Sequence, residues 1–564
     1  MTLFALILIP LVGALVVVMS PARQARWIAL AWATLAFAVS VFAAFRFDWA
    51  NAGDFQFVAN LPFLPSIGIS LAVGADSVAM LLILLTTLLG PLCVMGSFTA
   101  INDRVKMYYG WLLVLQAAMT GVFASRDIIL FYLSFEFTLA PMFVLISLYG
   151  SANRRYAAIK FFLFTFAGSV LTLAGLVYVA SVAAGAHDGQ WTFLIADLET
   201  AAQSMTHTQQ VWVMAALMAG FAVKVPLFPV HTWLPLAHTE APTAGSVLLA
   251  GVMLKLGTYG VYRFVLPFTP IAVAEYAPLI AVFAIIGIVY AGLICWVQTD
   301  VKKLVAYSSV SHLGFCVLGL VALNTVGGAG GVMYMVNHGL STGALFFCIG
   351  MMYERYHTRS MKEVGGLARR MPIWAFFMVF FSLASVGLPG LNGFVSEFMT
   401  LLGAFQSGAY SVGPGATVGP LGPWFAAVAA TGMIVAAIYL LYMVGKVVFG
   451  PLKEPDDHHA HPVLPRDLSA RETLVLAPLA VLCLALGVYP SPILKSLEAP
   501  VRLTVAPARD AVDYARPVPT AEFSPAALGG SVALADVGSQ RFERRATNGT
   551  HGSESHATTG GGAK

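Results

Sequence analysis

The sequence predicts an all-α polytopic membrane protein with about fourteen transmembrane helices, including two inverted five-helix repeats that each contain one broken helix. Three observations carry that expectation. Of 564 residues, 59% are hydrophobic and only 10% are charged, where a soluble domain carries about a quarter charged residues. That is too little charge to cover a water-facing surface. Apolar runs of about 20 residues, enough to cross a bilayer as a helix, recur along nearly the whole chain. Two of those runs are interrupted by proline or glycine beside an ionisable residue, which lipid tolerates only where protein or trapped water satisfies the freed backbone.

The spans are expected near 3–19, 27–45, 78–98, 108–124, 126–148, 157–184, 211–229, 243–268, 271–296, 304–323, 331–352, 372–405, 424–449 and 473–490. The first has no basic residue before it and no small-residue cleavage site after it, so it reads as a retained helix and not as a signal peptide. Arg23 and Arg26 follow it, which puts the N-terminus outside and the first loop inside. Counting onward, the inner loops hold sixteen Lys and Arg, from Arg23 and Arg26 through Lys302, Lys303, Arg355 and Arg359 to Arg466 and Arg471. The outer loops hold little more than Arg46, Arg126 and Arg263. This is the positive-inside asymmetry, and a miscounted span would scramble it.

The chain accordingly divides into N-terminal helices (1–107), a first repeat (108–268), a second repeat (269–450), a cytoplasmic loop (451–472), a last helix (473–499) and a tail (500–564). The tail ends in "TNGTHGSESHATTGGGAK" and is expected to be disordered. Five cysteines fall inside predicted spans without a C-x-x-C pair and read as apolar packing residues. No phosphate-binding glycine loop stands in a strand–turn–helix setting, so no means of binding NADH, ATP, flavin or an iron–sulfur cluster is visible. The "GGAGG" at 327–331 opens a membrane helix, where small residues serve close packing. The loop "KEPDDHHAHPVLPRD" (453–467) is His-rich, but such loops are usually solvated, and no metal site is assigned to it.

The repeat is read from the breaks. One span is interrupted at Pro226 and Pro229, another at "GLPGLNG" (387–393) with Pro389 and Gly390. Proline removes a backbone hydrogen bond and clashes with the preceding turn. Lys224 and Glu397 flank the two breaks, 173 positions apart; the same shift carries Glu136 to within three residues of His312. Spans four to eight thus correspond to spans nine to thirteen. An odd number of helices per unit inverts the second copy.

Glu136, Lys224, Lys255 and Glu397 lie deep in predicted spans, joined by His312 and His338. Each charge at the bilayer centre costs at least about 2.5–3.5 kcal/mol. A structural Glu136–Lys224 pair is the bland reading, and it stabilises poorly because desolvation offsets the attraction. A series spread over several helices, two members beside broken backbone, points instead to a proton or cation path. In that reading Lys224 holds its proton beside Glu136 and releases it when the pair weakens. Lys255 then accepts, and the histidines and water lead on to Glu397. The histidines also have a packing reading, with neighbours such as Ser308, Ser311, Asn337 and Ser341 satisfying the rings.

The stretches "KVPLFPVHTWLPLAHTEAPTAGSVLLAGVMLKLGTYG" (224–260), "FEFTLAPMFVLISLYG" (135–150) and "GLPGLNGFVSEF" (387–398) resemble the antiporter-like subunits of respiratory complex I. The likeness is greatest to the M type, counterpart of mitochondrial ND4, and spans about residues 70–450. It implies a fourteen-helix proton-translocating subunit in a bacterial cytoplasmic membrane, with NADH, FMN, iron–sulfur clusters and quinone in partner subunits and L-type and N-type chains as neighbours. It also implies the pairing of Glu136 with Lys224, Lys255 as the central lysine and Glu397 as the exit residue. The family reads W-L-P-D-A-H where this chain has Leu236. Related subunits of sodium/proton antiporters, membrane-bound hydrogenases and inorganic-carbon transporters are the alternatives within the superfamily; a purely structural scaffold is the alternative outside it.

Overall fold

The computed structural model describes residues 1–408, 419–455 and 466–515. Among these, twelve helices are long and apolar enough to cross a membrane. Without water, backbone amides must be satisfied inside each segment, and the helix does this. The helices differ in what surrounds them. Thr2–Met19 and Ala22–Arg46 are buried over only 33% and 28% of their apolar stretch, whereas the apolar stretches of Thr243–Phe268 and Thr325–Tyr356 are buried throughout. The eighth and eleventh spans therefore form the centre, shielded from lipid on every side, and they carry Lys255 and His338.

The seventh and twelfth spans are broken where the prolines and glycines stand. The seventh runs as His207–Lys224, loses its helix over 225–233 and resumes as Leu234–Glu240. The Val223 carbonyl, freed by the break, accepts from the Trp233 indole at 2.9 Å. The twelfth runs as Pro372–Val386 and Asn392–Gln406. Gly387 closes the first half at φ 81°, a left-handed conformation that glycine adopts without strain. Asn337 of the eleventh span pins the second half: its amide nitrogen reaches the Asn392 carbonyl at 2.7 Å, and Asn392 returns the bond at 3.2 Å.

Two further spans are irregular, the first with Pro141 just beyond its break, where the Phe137 carbonyl has no amide partner. The fifth span parts at Thr138 into Ile128–Phe137 and Leu139–Tyr149. The eighth widens into π-helical turns at Leu249–Met253 and Val261–Val265. Such turns are rare and concentrate at functional sites. The glycines at the start of the eleventh span do bring helices together: Gly327 abuts Gly403, and Gly330 abuts Met399 and Thr400 of the broken twelfth.

The helical body carries one addition. An antiparallel hairpin, β1 Gln56–Leu64 and β2 Ile69–Ala75, joins the second and third spans. Both strands are too short to register in a search for long apolar runs. Arg263, expected in an outer loop, is buried instead and pairs with Asp76 at 2.5 Å. Asp76 also caps the helix Ser77–Gly96, accepting from the Ala79 amide at 2.9 Å.

The assignment of everything beyond 500 to a disordered tail is corrected for its first part. Ser491–Ala515 is one helix. Its buried residues Leu497, Val501, Val505 and Ala508 recur every three to four positions, a one-sided stripe whose average hydropathy is too low to read as a span. The stripe packs on the third, ninth and eleventh spans, and Ser77 Oγ donates to the Ser496 carbonyl at 2.7 Å. Residues 516–564 lie outside the described residues, as do His458, His459 and His461 of the His-rich loop. All five cysteines are buried and free.

Candidate functional site

Lys224 ends the first half of the seventh span and is 2% exposed. Its ammonium donates to Thr138 Oγ1 at 3.3 Å and stands 4.6 Å from the centre of the Phe135 ring. The expected direct pair with Glu136 is not formed: no carboxylate lies within 4 Å of Lys224 among the described residues. Helix geometry gives the reason. Phe135 and Thr138, three apart, share the face toward the seventh span, and Glu136 is turned about 100° away from Phe135. Glu136 is half-buried, and its Oε1 has no hydrogen-bond partner.

The remaining predicted residues come together in one line. Lys255, fully buried beside the first π-helical turn, donates to the Ala250 carbonyl and meets His338 Nδ1 at 2.7 Å. The His338 and His312 rings lie 5.7 Å apart, centre to centre. His312 Nδ1 is 2.6 Å from the Tyr334 hydroxyl, which donates to Glu397 Oε1 at 2.5 Å. The direct His312–Glu397 distance is 3.8 Å. Glu397, read as an exit residue, is only 2% exposed. Its Oε2 lies against Gly387, where a side chain would collide with it, so the carboxylate and the helix break are neighbours. His338 Nε2, His312 Nε2 and Glu397 Oε2 are buried without a hydrogen-bond partner.

Tyr334 was not among the residues expected from sequence. The signal was present: it precedes His338 by four positions on a helix, which puts both on one face. His238 was missed as well. It is fully buried in the second half of the seventh span, stacked on Phe346 at 4.7 Å, with neither ring nitrogen hydrogen-bonded. Beyond it, Lys302 donates to the Ala241 carbonyl at 2.5 Å and Arg359 to the Thr239 carbonyl at 2.6 Å. Two cations thus meet the C-terminal end of Leu234–Glu240, where the helix dipole favours them. Lys302, Arg359 and Glu354 line a cavity of about 500 Å³ among the predicted inner loops. Among the described residues no group of His, Cys, Asp and Glu is arranged to hold a metal.

A family profile described as NADH:quinone oxidoreductase/Mrp antiporter, TM matches residues 125–413. NADH-quinone oxidoreductase subunit M of Rhodobacter capsulatus is 42% identical over 474 residues, covering 83% of this chain and 88% of the relative. NADH-ubiquinone oxidoreductase chain 4 of Marchantia polymorpha is 37% identical over 504 residues, covering 88% and 96%. Among solved structures, a chain of respiratory complex I from Thermus thermophilus superposes with a TM-score of 0.78 at 29% identity, covering 90% of this chain and 100% of that one. With the broken helices and the buried polar line in place, the chain belongs to the NADH:quinone oxidoreductase/Mrp antiporter transmembrane family, among its subunit M and chain 4 relatives.

Proposed function

We propose that this chain is the proton-translocating M-type membrane subunit of an NADH:quinone oxidoreductase, moving protons along the buried line while electron transfer proceeds in other subunits. The observation that carries the reading is the succession of ionisable and hydroxyl groups from Lys255 through His338, His312 and Tyr334 to Glu397, hydrogen-bonded at every step but the one between the two histidines. Lys255 and His338 share a proton across 2.7 Å. The ring-to-ring step to His312 is too long for a direct bond and takes one bridging water, for which the unpartnered Nε2 atoms are the anchors. From His312 the proton reaches Glu397 in a concerted shift: Nδ1–H passes to the tyrosine oxygen as the tyrosine O–H passes to Oε1, with no tyrosinate formed.

Lys224 and Glu136 act as a charge pair at a distance, while Thr138 holds the ammonium. Pro226, Pro229, Pro389 and Gly390 open the backbone where water is needed. The two five-helix units, 108–268 and 269–450, supply one broken helix each, in inverted orientation. NADH, FMN, iron–sulfur clusters and quinone belong to partner subunits, L-type and N-type chains flank this one, and the N-terminus faces outward from a bacterial inner membrane.

The test is Lys255→Ala in the assembled complex. Proton uptake by inverted vesicles and quinone-linked NADH oxidation are expected to fall at least ~tenfold, the low end of what a lost proton-transfer group costs. NADH oxidation by a soluble acceptor should stay at the parent level. Undiminished proton uptake would remove Lys255 from the path.

A further inference from the structure

We propose that the inner end of the thirteenth span holds a binding site for the headgroup of an anionic phospholipid. The site is a cavity of about 620 Å³ with Lys362, Lys446 and Lys453 in its lining and no carboxylate among the described residues that form it. Its walls are built. Gly365 and Lys453 exchange backbone hydrogen bonds at 3.1 and 2.8 Å, and the Gly366 amide donates to the Phe449 carbonyl at 3.1 Å. This ties the loop after the eleventh span to the end of the helix Pro423–Val447. The acids nearest in sequence are engaged elsewhere: Glu363 accepts from Thr358 at 2.6 Å, and Glu454 pairs with Arg370 at 3.6 Å. Three lysines therefore face one space without a counter-ion among the described residues.

Phospholipid is favoured over a soluble anion by what lies beside the cavity. Phe449, in its lining, is 54% exposed. Ile434, Ile438 and Leu441, on the helix Pro423–Val447 that leads to it, recur at helical spacing and are 64%, 40% and 49% exposed. They form an apolar track on which acyl chains can lie while the phosphate sits among the lysines. Lys446 stands 5.5 Å from the Tyr442 ring centre, a cation–aromatic contact suited to the membrane interface. The positive-inside count places this end in the cytoplasmic leaflet, and basic pockets between helices on that side take anionic headgroups.

The experiment uses the chain in its native complex, reconstituted in phosphatidylcholine nanodiscs that carry a photoactivatable phosphatidylglycerol. After irradiation, labelled peptides are mapped by mass spectrometry. Label is expected at 361–365 and 442–453. Each lysine near an anionic surface is worth about fivefold in affinity, so the Lys362→Gln/Lys446→Gln double variant should lose at least ~tenfold of the label. Lys362→Arg/Lys446→Arg should keep most of it, and photoactivatable phosphatidylcholine should label these peptides weakly. Equal labelling by both lipids, full labelling in the glutamine variant, or no label there in the parent would each overturn the proposal. Displacement of the label by millimolar inorganic phosphate would overturn the lipid assignment in favour of a soluble anion. Should the double variant fail to assemble, the phosphatidylcholine and phosphate arms on the parent still decide.

Discussion

Tyr334 joins His312 to Glu397, the last step of the proposed relay, through a single oxygen atom. Tyr334→Phe deletes that atom and keeps the ring, which packs 6.0 Å from Phe315. His312 Nδ1 and Glu397 Oε1 would then face each other across 3.8 Å, beyond the reach of direct proton transfer. Proton uptake by vesicles is expected to fall at least ~tenfold while the complex assembles at parent levels; normal uptake would mean that water alone carries the step. Glu397 itself separates proton transfer from charge balance. Glu397→Gln still accepts from Tyr334 but takes up no proton, whereas Glu397→Lys keeps a titratable group. The glutamine variant should therefore pump less than the lysine variant, and the reverse order would make Glu397 a fixed charge. The charged residues of this site stood out in the sequence because charge is conspicuous in an apolar run. Tyr334 and His238 did not, since a tyrosine or histidine in a membrane helix is usually packing, and only the fold sets the Tyr334 hydroxyl between His312 and Glu397.

At the scale of the element, breaks made by proline and glycine were legible, and breaks made by geometry were not. Pro226, Pro229, Pro389 and Gly390 mark interruptions that any helix must obey. The parting at Thr138 falls three residues before Pro141, a mark the sequence carried, whereas the two π-helical turns, Leu249–Met253 and Val261–Val265, contain no proline. The turned-away Glu136 belongs with these, because its orientation depends on which face the fifth span presents to the seventh. The second π-helical turn also lodges Arg263 against Asp76, which ties the eighth span to the third. Both groups are buried, at 6% and 2% exposure, so removing one leaves the other uncompensated. Asp76→Ala is expected to destabilise the protein by about 3–5 kcal/mol and to lower the yield of assembled complex on native gels. Asp76→Ala/Arg263→Leu should recover part of that loss, because the stranded charge is gone. A single variant as stable as the parent would show that water reaches Arg263.

At the scale of the whole molecule, fourteen candidate segments and the order of the breaks could be read from hydropathy, since lipid permits so few backbone solutions. The hairpin and the helix Ser491–Ala515 could not, because both obey shorter or one-sided periodicities. The last helix nonetheless matters to the ensemble. It rests on the third, ninth and eleventh spans together, elements that lie far apart in sequence. One close approach is Val501 against Gly328, where a Cβ on the glycine would collide with the valine side chain. Val501→Asp would place a carboxylate in that contact with no cation recorded there. Burial of an unpaired polar group costs about 1–3 kcal/mol or more, and the lost valine adds to it. Arg502, next in the chain, is exposed, and Arg502→Asp should stay within about 0.5 kcal/mol of the parent, as surface changes do. Thermal unfolding of the purified protein distinguishes the two. A clear loss for Val501→Asp alone makes the helix a clamp across three spans. Equal behaviour of both variants would mean that the stripe rests on the bundle without holding it.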